Sequence, residues 1–161
     1  VVAEMNRLGI LVDVSHAAES TFYDALEIST QPIIASHSSA RALCNHPRNL
    51  TDDQLKALAE KQGVVQVCLY KGFINEDAEK ASLTDAIRHI NHIADLIGIN
   101  HVGIGSDFDG DGELIGCRAS NELINITLRL LKDGYKENDI AKIWGGNLLR
   151  VMSRVQSAYN G

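Results

Sequence analysis

Two histidines near the start of the chain each follow a short apolar run that ends in serine. Val12-Asp13-Val14-Ser15 leads into His16, and Ile33-Ile34-Ala35-Ser36 leads into His37. Imidazole is a borderline-soft ligand that suits zinc, and two imidazoles in equivalent places on neighbouring strands could share one metal ion. His16 alone would fit a structural role, hydrogen-bonded to backbone, equally well. The pair therefore predicts a divalent metal site, most simply a zinc site.

A second cluster with chemical potential is acidic. Asp107, Asp109 and Asp111 alternate with Phe108 and glycine, which resembles the first half of a calcium-binding loop. The twelfth position of such a loop needs a bidentate glutamate, and here it is Arg118, so calcium is disfavoured. A solvated turn is a further alternative, because aspartate and glycine favour turns in any case. We predict instead that Asp107 lies at the mouth of a sheet, beside the metal held by the histidines.

An arginine follows the second histidine motif. Arg48 lies between Pro47 and Asn49, shortly before Thr51, in a long connection after the second apolar run. Its planar, permanently charged guanidinium suits bidentate binding of a substrate carboxylate. The alternative is an ordinary surface arginine. We take Arg48 as the candidate anchor for a carboxylate.

The remaining histidines carry weaker signals. His89 and His92 are three residues apart on a predicted helix, a spacing that can hold a metal, but the polar residues around them indicate a solvated face. His46 and His101 show no partner pattern. The sequence therefore adds no further metal ligand.

The elements that would position these residues alternate regularly. Apolar runs at 9–14, 32–36, 63–70 and 101–105 predict four strands; helical patterns span 17–30, 51–61, 82–97, 119–132 and 137–155. Thr51 and Gln54 predict a capping box, and Gly98 closes the third of these helices. Four βα units in succession indicate one parallel α/β body with its site at the carboxyl ends of the strands.

Composition limits the class of protein. The chain has 161 residues, 45% of them hydrophobic and 22% charged, and a formal charge of −6, which is typical of a globular domain. No basic stripe is present, which argues against nucleic acid or an anionic membrane surface as a partner. No stretch approaches the roughly 20 apolar residues of a membrane span, so no transmembrane segment is predicted. The absence of a visible signal peptide slightly favours the cytoplasm, although the opening residues read as the end of a longer helix.

The three cysteines give a structural prediction. Cys44, Cys68 and Cys117 are few, odd in number and widely spaced. They form neither a disulfide framework nor a CxxC metal site. We expect them to be small core residues.

The chain resembles the renal, or membrane, dipeptidase family of zinc metallopeptidases, which has many bacterial members. The resemblance covers essentially the whole sequence and rests on five motifs in order: VDVSH at 12–16, IASHSSA at 34–40, HPRNL at 46–50, VGIGSDFDG at 102–110 and GNLLRV at 146–151. It implies a (β/α)8 barrel of the TIM type whose mouth binds two zinc ions. It also implies hydrolysis of dipeptides, including those with a D-residue at the carboxyl end.

The resemblance assigns a role to each candidate residue. His16 and His37 would be two ligands of one zinc, Arg48 would anchor the dipeptide carboxylate, and Asp107 would be the acid/base group near the bridging water. The family's His-x-Asp ligand pair, its bridging glutamate and a further substrate-binding histidine would lie upstream of Val1. Residues 1–161 would then form the C-terminal half of a single barrel domain, with the fifth to eighth strands. Alone, this half should be inactive and should self-associate or require the N-terminal half.

The implied mechanism is attack by a metal-bridged hydroxide. Two zinc ions bridged by a carboxylate lower the pKa of a shared water toward neutrality while one of them polarises the scissile carbonyl. Two alternatives remain: an amidohydrolase-like barrel acting on a cyclic amide or nucleobase, and a non-catalytic metal-binding half-barrel. Dependence on a free terminal carboxylate and on Arg48 distinguishes the dipeptidase from the other enzyme.

Overall fold

The computed structural model describes residues 1–159 and contains a parallel sheet of four strands in chain order. The strands are β1 (Val12–Asp13), β2 (Ile33–Ala35), β3 (Val64–Cys68) and β4 (Val102–Ser106). All three strand pairs are parallel, with β1 and β4 at the two ends of the sheet. The predicted fold class, four βα units as in half of a (β/α)8 barrel, is confirmed.

Helices connect the strands and cover the sheet. They are α1 (Val2–Arg7), α2 (Glu19–Ile28), α3 (Asp52–Glu60), α4 (Lys71–Ile74), α5 (Leu83–Ile97), α6 (Ile124–Lys132), α7 (Glu137–Ala141) and α8 (Asn147–Ser157). The central strand β3 is buried except at Gln66, which is half-buried. This burial explains why the strands read as continuous apolar runs rather than as alternating ones. Within residues 1–159, no helix is long and apolar enough to cross a membrane.

The predicted helix-start signals are present. The Thr51 hydroxyl accepts a hydrogen bond from the Gln54 N–H at 3.2 Å, and the Gln54 side chain accepts one from the Thr51 N–H at 3.0 Å. At the start of α5, Asp85 accepts hydrogen bonds from the backbone N–H and the hydroxyl of Ser82. Gly98 ends this helix with φ 89°, a conformation that glycine adopts without strain.

The last predicted helix, 137–155, is wrong as a single element. It is divided into α7 and α8 by a wide π-helical segment, Lys142–Gly146, in which Gly145 leaves helical φ/ψ. Two consecutive glycines are poor helix formers, and the break leaves the Asn147 amide near β4, where it donates to the carbonyls of Ile99 and Val102. The helix expected at 119–132 likewise begins only at Ile124, after a single 3-10 turn.

The predicted solvated face of α5 is also wrong at His89. This residue is 1% exposed, and both ring nitrogens are hydrogen-bonded: Nδ1 accepts from the Ala40 N–H and Nε2 donates to the Ile74 carbonyl, each at 3.0 Å. Burial of the imidazole lowers the pKa of His89 to about 4. His92, by contrast, is half-buried and pairs with Asp52 on α3 at 2.8 Å.

The sheet curves strongly at the carboxyl ends of its strands. A Cβ atom on Gly105 in β4 would lie 2.2 Å from the Ser36 carbonyl oxygen and 3.1 Å from the His37 Cα, although β2 and β4 are not neighbours in the sheet. Glycine therefore permits a close backbone approach across the concave side. This curvature brings the residues that follow β2 and β4 toward one another.

Candidate active site

The structure brings the two predicted metal-binding histidines together. Val12 of β1 pairs with Ile33 of β2, and each histidine comes four residues after its member of this pair. The ring centroids of His16 and His37 are 4.8 Å apart, with an interplanar angle of 61°. His16 has φ 71°, in the left-handed region that non-glycine residues rarely occupy. Such a backbone is typical of residues held in place at functional sites.

A hydrogen-bond chain fixes the ring of His37. The Ser36 hydroxyl donates to Asp13 Oδ2 and lies 2.8 Å from His37 Nδ1. Because the hydroxyl gives its single hydrogen to the carboxylate, it can only accept from Nδ1–H of the imidazole. This places the unshared electron pair of His37 on Nε2, the state that a metal requires. Sequence reasoning missed the supporting roles of Asp13 and Ser36, although both lie within the quoted motifs.

The donor set fits part of a zinc site. Two neutral imidazoles are ordinary zinc ligands, and the Asp13–Ser36–His37 chain has the form of a supporting second layer around such a ligand. Desolvation of the ring by its neighbours and the nearby positive charge of Arg48 lower the pKa of His16, which favours the neutral form that binds metal. Residues 1–159 contain no group of three or more histidine, cysteine or carboxylate side chains placed to hold an ion. The described residues therefore offer two candidate ligands and no group of three.

Arg48 is a half-buried arginine whose charged end has no partner. The side-chain nitrogens Nε, Nη1 and Nη2 are all buried and make no hydrogen bond within residues 1–159. The guanidinium carbon lies 5.3 Å from the centre of the Phe73 ring. Burial lowers the pKa of Arg48, while Cys68, Asp107 and Asp13 oppose that shift. An arginine in this condition is suited to receive an anion, because a bound carboxylate would satisfy its unpaired donors.

The neighbouring Asn49 holds the backbone beside Arg48 in place. Asn49 is fully buried; its amide oxygen accepts from the Ser39 N–H at 3.1 Å, and its amide nitrogen donates to the carbonyls of Cys44 and Phe73 at 2.9 and 2.8 Å. His89 makes a second link between the loop after β2 and helix α4, from Ala40 to Ile74. The loop that carries Arg48 is thus attached to helix α4, which carries Phe73.

Asp107 occupies a constrained turn immediately after β4. Its φ is 73°, and Ser106 before it has φ 48°, so two consecutive non-glycine residues are left-handed. The Asp107 carbonyl accepts hydrogen bonds from the N–H groups of Gly110 and Gly112 at 3.0 and 2.8 Å. A Cβ on Gly112 would lie 2.4 Å from that carbonyl oxygen, so this turn needs glycine. Asp109 and Asp111 are exposed, and they form no three-carboxylate metal group with Asp107 within the described residues.

One open cavity contains three of the four predicted site residues. Its volume is about 420 Å³ and its walls are formed by His16, His46, Arg48, Tyr70, Phe73, Asp107 and Gly110. His37 lies beside it, with its ring against His16. Histidine, arginine and aspartate in one cavity can bind a metal, hold an anion and move a proton.

His46, for which the sequence showed no partner pattern, also lines this cavity. Its Nδ1 accepts from the Arg48 N–H at 3.1 Å, and its ring lies 4.5 Å from that of Phe73. Burial of the ring lowers the pKa of His46, and the nearby positive charge of Arg48 lowers it further. The sequence signal available for His46 was its position two residues before Arg48.

The three cysteines are core residues, as predicted. Cys44, Cys68 and Cys117 are all free and buried. Only Cys68 among them lies next to a predicted site residue, with its Sγ 3.5 Å from Asp107 Oδ2. Sequence reasoning gave no sign of this contact.

Comparison with known proteins identifies the family of this chain. The family model for membrane dipeptidase (Peptidase family M19) matches residues 1–161. The dipeptidase aclJ of Aspergillus oryzae (strain ATCC 42149 / RIB 40) is 42% identical over 158 residues. Among solved structures, the probable dipeptidase PvdM from Pseudomonas aeruginosa gives a TM-score of 0.94 at 28% identity, over 98% of this chain. A metallo peptidase from Rhodobacter sphaeroides, liganded with a phosphinate mimic of the dipeptide L-Ala-D-Ala, gives 0.91 at 35% identity, over 96% of this chain.

These relatives are longer than the chain. The match covers 97% of this chain but 37% of the Aspergillus protein, 53% of the Pseudomonas structure and 45% of the Rhodobacter structure. The chain therefore spans about a third to about half of the relatives that it matches.

Proposed function

Because the chain belongs to the membrane dipeptidase family, Peptidase family M19, we propose that the protein containing it hydrolyses dipeptides with zinc as its metal, including dipeptides with a C-terminal D-residue. The observation that carries the proposal is the buried, unpartnered guanidinium of Arg48 in the same cavity as His16 and Asp107. A carboxylate bound there would place the adjoining peptide bond near both residues. The phosphinate dipeptide mimic in the Rhodobacter relative supports the same class of substrate.

Each residue of this chain has a distinct role in the proposed reaction. His16 and His37 hold one metal, and the Asp13–Ser36 pair keeps Nε2 of His37 free for it. When bound, the metal activates water and polarises the scissile carbonyl. Arg48 binds the terminal carboxylate and thereby fixes the distance from the substrate's end to its reacting bond. Asp107 transfers a proton to the leaving amine.

We further propose that residues 1–161 form the C-terminal half of one barrel domain, whose other half supplies the remaining metal ligands and the bridging carboxylate. Two observations support this: β1 and β4 each have one neighbour in the sheet, and the residues described supply only two clustered metal ligands. Unpaired strand edges invite pairing with another copy or another segment. The 161-residue chain by itself, assayed with zinc and a simple dipeptide, should show no turnover. Turnover comparable to that of a full-length relative would contradict this division.

The test of the function uses the full-length protein, stripped by chelation and reloaded with zinc. We expect hydrolysis of L-Ala-L-Ala and L-Ala-D-Ala. L-Ala-D-Ala amide and the cyclic dipeptide should react at least about 100-fold more slowly, because neither offers a carboxylate to Arg48. Preferential hydrolysis of the cyclic substrate would favour an amidohydrolase instead. Metal binding without any hydrolysis would indicate a non-catalytic protein.

A further inference from the structure

Cys68 is a buried thiol at the end of β3 that the proposed reaction does not use. The register between β3 and β4 shifts at this point: Val67 pairs with Ile104, whereas Cys68 pairs with Ser106. Gly105 is the extra residue of this bulge. A bulge next to a functional site can redirect a side chain, and here it sets Cys68 beside the residue that follows Ser106.

The thiol contacts the candidate acid/base group directly. Cys68 Sγ lies 3.5 Å from Asp107 Oδ2, and within residues 1–159 it is the only donor to that carboxylate. Cys68 is 0% exposed, and its burial raises the pKa of the thiol to about 12. The thiol is therefore a donor, and Asp107 Oδ2 is nearer to it than its other acceptor, the Ser106 carbonyl oxygen at 4.0 Å.

The contact distinguishes the two carboxylate oxygens of Asp107. Oδ2 is the oxygen in contact with the Cys68 thiol, whereas Oδ1 accepts no hydrogen bond within residues 1–159. Asp107 lines the cavity, so holding one of its oxygens limits how the carboxylate can turn there. The turn after β4 already fixes the backbone of Asp107. Loss of the thiol contact would therefore free only the rotation of the Asp107 side chain.

We propose that Cys68 is a positioning residue for Asp107: its S–H group holds Oδ2 and leaves Oδ1 as the oxygen that transfers the proton. This inference rests on the proposed function, in which Asp107 transfers a proton to the leaving amine. The thiol itself forms no bond to substrate and exchanges no proton in the reaction. Its effect should appear in kcat and leave substrate binding by Arg48 almost unchanged.

The kinetic test uses Cys68→Ala and Cys68→Ser in the full-length, zinc-loaded protein, with Cys117→Ala as the matched control. Cys117 is also 0% exposed, so its truncation removes a similar buried thiol away from Asp107. We expect Cys68→Ala to lower kcat about tenfold with KM within about twofold, the size of one lost hydrogen bond to a charged group. Cys68→Ser keeps a donor and should restore most of kcat. An equal loss in Cys117→Ala, or no loss in Cys68→Ala, would overturn the proposal.

A double-mutant cycle separates positioning from general damage to the fold. In the Asp107→Asn background, Cys68→Ala should change kcat by less than about twofold, because the group that the thiol positions is no longer a carboxylate. The same tenfold loss in both backgrounds would show that Cys68 acts through packing.

A spectroscopic test does not depend on activity. The infrared S–H stretching band of Cys68, assigned by its loss in Cys68→Ala, should move to higher frequency in Asp107→Asn, since an amide oxygen is a weaker acceptor than a carboxylate. An unmoved band would overturn the proposal even if no dipeptide is hydrolysed. Conversely, an inactive wild-type protein with a shifted band would refute the proposed function and leave the contact established.

Discussion

The histidines at the strand ends and His89 of the helical layer have opposite hydrogen-bonding states. His89 on α5 uses both ring nitrogens to bond backbone groups and is 1% exposed. His16, after β1, is exposed and left-handed, and His37 has only Nδ1 bound to a neighbouring side chain. Satisfied histidines stabilise loops, whereas histidines with a free nitrogen can take a ligand. The difference shows that position in the fold decides what a histidine does.

Asn49 and Arg48 show the same contrast between a fully hydrogen-bonded side chain and an unpaired one. Asn49 is buried with every hydrogen bond made, and its neighbour Arg48 is buried at its charged end with none. A buried polar group without a partner costs about 1–3 kcal/mol, more when it is charged. A protein can retain this free-energy cost at a site where a bound ligand removes it. Asn49 therefore fixes the backbone that carries the Arg48 guanidinium.

The largest effect is expected from replacing His16 or His37, the two histidines with an unbonded ring nitrogen. His16→Ala and His37→Ala in the full-length protein should each lose most of one bound zinc, and activity should fall by about 10³-fold or more, because metal assistance contributes several kcal/mol to the barrier. Metal analysis and steady-state kinetics measure both effects. His92→Ala, which alters a half-buried histidine on α5, should retain its metal. Undiminished zinc in both site variants would refute the assignment.

The second prediction tests the satisfied histidine through pH. The folded-state pKa of His89, about 4, lies below its ordinary value of 6.5, so the fold favours the neutral ring. Its contribution to stability is complete above pH 6.5 and is lost as the pH falls through 4, because the unfolded state then binds more protons. The expected loss is about 3 kcal/mol in the free energy of unfolding.

Denaturant unfolding at pH 7 and pH 4 measures this effect. His89→Gln, which cannot be protonated, should lack this part of the pH dependence. A variant that retains the full wild-type dependence would show that His89 titrates normally in the folded protein.

The third prediction concerns Asp107. Asp107→Asn keeps the shape of the side chain but removes its exchangeable proton, so kcat should fall by about 100-fold or more, as is usual for a general acid or base. Zinc content should stay at the wild-type level, in contrast to the histidine variants. If activity survives, the proton-transfer role passes to Asp109 or to no side chain.

The sequence predicted the elements whose signals are local. Apolar runs placed all four strands, and the Thr51–Gln54 capping box and Gly98 placed the boundaries of α3 and α5. The continuous helix at 137–155 failed because its apolar periodicity continues through Gly145, where the backbone turns toward β4. Periodicity reports which side chains face the core, and it does not report a change in the backbone at two glycines.

The candidate site was predictable where one residue carried its own signal. His16, His37, Arg48 and Asp107 each end or follow a strand, and parallel strands end at one edge of the sheet. The contacts of Cys68 and His89 depend on the bulge at Gly105 and on the packing of α5 against the Ala40 loop. Such contacts join distant segments, so a single sequence contains no local pattern for them.

Arg48→Lys should give the smallest effect of these changes. It tests directly whether the unpaired guanidinium binds a carboxylate. Arg48→Lys keeps the charge but loses the planar fork, so kcat/KM for free dipeptides should fall about tenfold or more. The exposed Arg118→Lys serves as the control and should match wild type. For an amidated dipeptide, which presents no carboxylate, the same Arg48→Lys change should have almost no effect, because the interaction it removes is absent from that substrate. Equal losses on free and amidated substrates would mean that Arg48 supports the loop beside Phe73 and does not bind the carboxylate.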